Sequence, residues 1–173
     1  MKRTIALFSA VFMAATTFAQ DKKECKADML ADTPGAVIQK EYVNITVMDH
    51  LTIVVEFVTN TANNQKLSAL DMEYKTGGDD GTTSNTLLDA DEVDALLAFM
   101  QNIQDNISKT TAPKNYTEYT FLSKSGFEAG CYWDKKWKTY FKVDSEDSKT
   151  DMELDNEDMT KMMSFIRQAK SKM

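Results

Sequence analysis

From Ala36 onward the chain switches between two hydrophobic rhythms. Val37, Val43, Ile45, Val47, Ile53, Val54, Val55, Phe57 and Val58 are dense in the β-branched and aromatic side chains that suit strands. Met48-Asp49-His50 reads as a turn between a strand near 36–47 and another near 51–59. Asn60 to Gln65 is a polar loop, and a third strand follows near 67–75. Gly77-Gly78-Asp79-Asp80-Gly81 is a strong turn signal, from which Thr82 to Leu87 returns as a fourth strand. The period then changes to 3.6: Val93, Leu96, Leu97, Met100, Ile103 and Ile107 share one helical face. Asp89, with Glu92 three residues on, is an N-terminal cap for that helix, and Thr110-Thr111-Ala112-Pro113 ends it.

The second half repeats the plan. Strands are expected over Tyr116–Leu122, Phe127–Trp133, Trp137–Val143 and, shorter, Thr150–Leu154. A helix opened by Asp155 follows, with Met159, Met162, Met163, Ile166 and Ala169 on its apolar face. The stretch L-D-A-D-E-V-D-A-L-L-A-F-M at 88–100 reappears as L-D-N-E-D-M-T-K-M-M-S-F-I at 154–166. Leu, Asp and Phe stand at equivalent places, and Val93, Leu96 and Leu97 become Met159, Met162 and Met163. An internal repeat of this kind sets the architecture. The expected fold is α+β: two tandem ββββα repeats, 35–109 and 114–173. They are expected to form one antiparallel sheet with both amphipathic helices packed on one face, because each copy alone is marginal in size.

The N-terminus adds a different signal. Lys2 and Arg3 precede an apolar run from Ile5 to Ala15, and Thr17 and Ala19 are small residues at the positions a signal peptidase reads. Residues 1–19 are therefore expected to be a signal peptide cleaved before Gln20, since the run is shorter than a membrane span. Residues 20–34 form an N-terminal tail, charged and ending at Thr33-Pro34-Gly35, with room for a short helix. Cleavage leaves 18 basic against 27 acidic residues, a formal charge of −9 where the full chain has −7. Such a protein is expected to be soluble, in the periplasm or outside the cell, and not inserted in the membrane. It is poorly suited to nucleic acid, whose phosphates demand Lys and Arg. Cys25 and Cys131 are the two cysteines. Export permits a Cys25–Cys131 disulfide; the alternative leaves Cys131 as a small core residue and Cys25 loose in the tail.

The candidate chemistry thins out on inspection. Acidic groups cluster at Asp79–Asp80, at Asp89, Asp91, Glu92 and Asp94, at Asp144, Glu146 and Asp147, and from Asp151 to Asp158. None has the spacing of a calcium loop. Paired carboxylates could serve a glycosidase, but two of the clusters are helix caps and two are solvated turns. His50 is the only histidine, which argues against zinc, and there is no G-x-S-x-G elbow and no Gly-rich phosphate loop. Met159, Met162 and Met163 could suggest copper, but they stand where the first copy has aliphatic residues, as core filling does. No catalytic residue, metal ligand or cofactor is assigned. Alternation places Tyr132 and Tyr140, with Lys138 and Lys142, opposite Trp133 and Phe141. If that face is open, these four are the candidate ligand-binding residues, either for a protein or for a glycan; otherwise they are cross-strand pairs.

The ending F-A-Q of the signal segment, the two strand-rich halves closed by helices, and the hairpin G-F-E-A-G-C-Y-W…W-K-T-Y-F-K-V resemble small exported proteins of gut Bacteroidetes without assigned activity. The two-copy plan is loosely similar to tandem modules of the β-lactamase-inhibitor-protein and TATA-binding-protein kind. The resemblance implies no site residues. The expected function is a non-catalytic binding or inhibitory module; the alternative is a small carboxylate-dependent hydrolase of glycosidase type.

Overall fold

The computed structural model describes residues 25–77 and 81–173. The expected signal peptide and the middle of the Gly77–Gly81 turn lie outside the described residues. A short helix α1 (Lys26–Ala31) leads into four strands, β1 (Ile38–Met48), β2 (Leu51–Asn60), β3 (Gln65–Lys75) and β4 (Thr83–Leu88). Helix α2 (Ala90–Asp105) follows. Four more strands, β5 (Glu118–Leu122), β6 (Glu128–Asp134), β7 (Lys136–Lys142) and β8 (Asp151–Leu154), precede α3 (Asn156–Lys170). The fold is α+β, as the two periodicities predict.

One expectation is overturned. The strands form two separate antiparallel sheets, β1-β2-β3-β4 and β5-β6-β7-β8, not one continuous sheet. The free edge of β4 meets the β5–β6 turn rather than another strand. Ser125 in that turn donates its hydroxyl to the Leu87 carbonyl and lies 2.9 Å from Thr86 Oγ1. Side chains of a turn thus take the edge groups that a ladder joining the two sheets would have needed.

Both helices nevertheless bury their stripes in one core. Leu51, Ile53, Val55, Leu70 and Met72 from the first sheet meet Phe127, Ala129, Phe141 and Val143 from the second. Val93, Leu96, Met100 and Ile103 of α2 fill the same core with Met159, Met162, Met163 and Ile166 of α3, so the three methionines are core. The two helices lie antiparallel: Asp94 pairs with Lys170, Arg167 Nη2 donates to Gln101 at 2.9 Å, and Gln104 donates to Thr160 at 2.8 Å. Asp155 caps α3 by accepting from the amides of Glu157 and Asp158, both at 2.8 Å. At α2 the Asp89 amide donates to Glu92 Oε2 at 3.1 Å within a capping box.

The described end of the expected tail is folded. Ala27 and Leu30 of α1, with Cys25, pack on Val58, Ala69 and Leu87, on the face of the first sheet opposite the main core. Cys25 and Cys131 are free thiols in different clusters, so the disulfide weighed for them is absent from this structure. Cys25 Sγ donates instead to Asp89 Oδ1 at 3.1 Å, and the Lys26 amide donates to the same oxygen at 3.1 Å. Lys124 Nζ, from the β5–β6 turn, reaches Asp89 Oδ2 at 2.9 Å, and its amide donates to Glu92 Oε1 at 2.7 Å.

Burial alone would raise the Asp89 pKa, but the donors from Lys124, Cys25 and the Lys26 backbone outweigh it and hold the carboxyl below its ordinary 3.8. A depressed folded-state pKa contributes stability above the unfolded value, lost as pH falls through the folded one. Asp89→Ala is expected to lower the unfolding free energy at pH 7 by about 2–4 kcal/mol, since it strands three donors, one of them the partly buried Lys124 ammonium. Urea melts at pH 7 and pH 3 should show the deficit shrinking on acidification; an equal deficit at both would remove the carboxylate from this role.

Candidate functional site

With α2 and α3 packed on the inner faces, the outer face of each sheet is left for other uses. On the second sheet, register places Tyr132 opposite Lys138 and Glu118, Tyr140 opposite Gly130 and Glu153, and Lys142 opposite Glu128 and Asp151. The four sequence-derived candidates Tyr132, Tyr140, Lys138 and Lys142 therefore do share one face. Tyr132, Tyr140 and Lys142 also line a cleft of about 270 Å³ with Tyr116, Glu118 and Met152, among others. Lys138 stands outside that cleft, 3.4 Å from Glu153 and 3.8 Å from Asp134.

Tyr140 is not the free contact its position suggests. It is 8% exposed, and its hydroxyl sits 2.7 Å from Glu118 Oε1 and 2.5 Å from Glu128 Oε1. Burial, then those two carboxylates, raise its pKa, so it remains a protonated donor. Its ring lies flat on Gly130, where an added Cβ would come within 2.5 Å of Cζ. Lys142 Nζ stands 5.2 Å from the ring centroid and 3.9 Å from Glu128. Tyr140 is thus a strut holding β5, β6 and β7 together; Tyr116, 71% exposed, and half-buried Tyr132 are the accessible aromatics.

The first sheet carries the feature that sequence reasoning missed. Its outer face holds a cleft of about 340 Å³, lined by Lys40, Tyr42, Val54, Glu56, Asp71 and Asn85 among others. Glu56 and Asp71 are buried, 3% and 2% exposed, within a sheet whose other face is the core. Glu56 is satisfied: Lys40 Nζ lies at 2.7 Å and Tyr42 donates at 3.4 Å. Asp71 has Asn85 as a donor, but its Oδ1 has no partner among the described residues. Burial first, then the charges of Glu73 and Glu56, push its pKa from 3.8 to about 7. One sign of this was legible: Glu56 interrupts the apolar run Ile53–Val58, where a charge must find a partner. Asp71 gave none, because the alternation in L-D-M-E at 70–73 reads as an ordinary solvated face.

The remaining candidates take structural places. His50 packs against Tyr74 with ring centroids 5.9 Å apart. Burial pushes the Cys25 thiol up to about 12 and the Cys131 thiol up to about 11, so neither is a thiolate at neutral pH. Asp144 and Asp147 accept from nearby turn amides, Glu146 at 3.0 Å and Lys149 at 2.9 Å. Among the described residues no group of three His, Cys, Asp or Glu side chains is disposed to hold a metal ion. No protein-family model matches the chain, and no curated protein matches it.

Two substitutions separate the faces. Gly130→Ala should cost about 1–3 kcal/mol in denaturant unfolding, and Tyr140→Phe should not rescue it, because Cζ itself is obstructed. Asp71→Asn should act the other way. A folded pKa above the unfolded one means stability is full below pH 3.8 and lost as pH rises through about 7. The variant should therefore gain about 2–4 kcal/mol at pH 8. Thermal melts at pH 4 and pH 8 check this, with little gain expected at pH 4.

Proposed function

We propose that this protein is an exported binding or inhibitory module without catalytic chemistry of its own, which contacts its partner, a protein or a glycan, through the outer faces of its sheets. The observation that carries the reading is the layering: α2 and α3 close the inner side of each sheet, and each outer side, partly covered by α1 on the first sheet, keeps a cleft on a strand floor. Rigid strands present side chains with little ordering cost, which favours recognition. The expected signal segment at 1–19 and the acidic charge support export and solubility. The un-ionised thiols weigh against a cysteine nucleophile.

A second reading, a carboxylate-dependent hydrolase, is favoured by one observation only. Asp71 is poised near neutrality beside Glu56, as a general acid beside a carboxylate would be. The Lys40 ion pair at 2.7 Å occupies Glu56 and ranks this reading second.

Two experiments bear on the first reading. The protein recovered from the producing cell should begin at Gln20 by intact mass; a mass that retains residues 1–19 would count against export by cleavage. Pull-downs from cell envelope and medium should lose their specific partner with Tyr116→Ala and Tyr132→Ala together. An unchanged partner would move the contact off the second sheet. Asp71-dependent hydrolysis of chromogenic glycosides would reverse the ranking.

A further inference from the structure

The outer cleft of the first sheet shows a specific chemical imbalance. Asp28, Glu56, Asp71 and Glu73 bring four carboxyl groups to its lining, and Lys40 brings the single ammonium there. That ammonium is committed to Glu56 at 2.7 Å. Asp71, 2% exposed, lines this cleft, and among the described residues no donor meets its buried Oδ1. An unmet buried carboxylate oxygen is costly, and the cost is recovered when a ligand supplies the missing donor. Acid clusters on surfaces are common and usually solvated; the buried, unpartnered acceptor distinguishes this one.

We infer that this cleft binds a ligand through an alkylammonium group, with Asp71 Oδ1 as its acceptor. The inference rests on reading the outer faces as binding surfaces and gives one of them a ligand chemistry. The lining fits such a group at each end. Val54 and Leu87 offer apolar surface for methylenes beside Asp71. Tyr42, 56% exposed, stands where its ring can face a cation. Asn44 and Asn85 add neutral amides that can orient polar substituents. A volume of about 340 Å³ suits a short chain and not a folded segment.

The charged and titratable neighbours set the pH behaviour. They are Lys40 and Tyr42 on β1, Glu56 on β2, Glu73 on β3 and Asp28 from α1; Asn85 on β4 is neutral. Asp71, held near pH 7 by burial and by Glu73 and Glu56, must lose a proton before it can accept an ammonium. Binding therefore strengthens with pH until Asp71 is ionised, by about tenfold between pH 6 and pH 8.

The ammonium could belong to a free diamine or to a lysine side chain, and calorimetry on the mature chain distinguishes them. The probes are 1,4-diaminobutane and Nα-acetyl-lysine methylamide, titrated at pH 8 and pH 6. Saturable binding at pH 8, weaker at pH 6 and at least tenfold weaker in Asp71→Asn, is the expected result. Binding of the diamine alone assigns a small polyamine, and binding of the lysine derivative alone assigns a peptide side chain; both support the inference. Glu73→Gln, which leaves the acceptor in place, should weaken binding less than Asp71→Asn does. No binding of either probe at pH 8 would overturn the inference, as would equal affinity in a melting-verified, folded Asp71→Asn protein. The binding-module reading itself would survive either result, because it is tested by pull-down on the other sheet.

Discussion

The carboxylate of Asp89 is the point where the separate parts of this fold become one molecule. It lies 3% exposed between the N-terminal segment, the start of α2 and the β5–β6 turn. The N-terminal segment brings the Cys25 thiol and Lys26 amide as donors, and the β5–β6 turn brings the Lys124 ammonium. Glu92 adds its own carboxylate to the Asp89 and Lys124 amides. The apolar core shared by the sheets supplies most of the cohesion, but apolar contact is not directional. A buried charge with several fixed donors is directional, because a displaced arrangement leaves a charge unmet. That requirement sets where α1 docks on the first sheet and how the turn of the second sheet meets the β4 edge. The same placement brings Asp28 of α1 to the lining of the first-sheet cleft.

Two aspartates in one molecule show how environment drives two buried carboxyl groups in opposite directions. Asp89 and Asp71 are comparably buried, at 3% and 2% exposed. Donors hold the first below its ordinary pKa, while burial and neighbouring acids push the second to about 7. The first therefore favours the folded state at neutral pH, and the second opposes it. Where folding alone is concerned, an apolar side chain at position 71 would do as well as Leu70 and Met72 do on the opposite face. A site that costs stability and faces a cleft is where a binding function is expected.

Local order was legible in the sequence, and the assembly of its parts was not. Alternation located the strands, the 3.6 period located α2 and α3, and Asp89 and Asp155 marked their starts, since each of these signals is carried by neighbours in the chain. Alternation also put Tyr132 and Tyr140 on the face away from Trp133 and Phe141. What closes around Tyr140 was hidden, because Glu118, Glu128 and Gly130 reach it through the register of other strands. The division into two sheets depends on Ser125 and Thr86, two small hydroxyl residues with no periodic signature. Cys25 looked like half of a disulfide because only its partner count could be read; its thiol serves Asp89, 64 positions away.

The two outer faces solve the same problem differently, and the contrast indicates where recognition chemistry resides. Each has acids at its centre and a tyrosine over them. On the second sheet Tyr140 lies down on Gly130 and gives its hydroxyl to Glu118 and Glu128, while Lys138 and Lys142 stand against nearby acids. That network is closed, so a ligand there must work with the exposed ring of Tyr116 and the half-buried ring of Tyr132. On the first sheet no glycine lies beneath Tyr42, which stands 56% exposed and reaches only Glu56. Lys40 satisfies Glu56, and nothing equivalent reaches Asp71 Oδ1. The open acceptor, the surplus of acids and the exposed Tyr42 ring therefore belong to a single face. A cation with a hydrogen to donate is the species that completes it, in the way that Lys124 completes Asp89 at the other buried carboxylate.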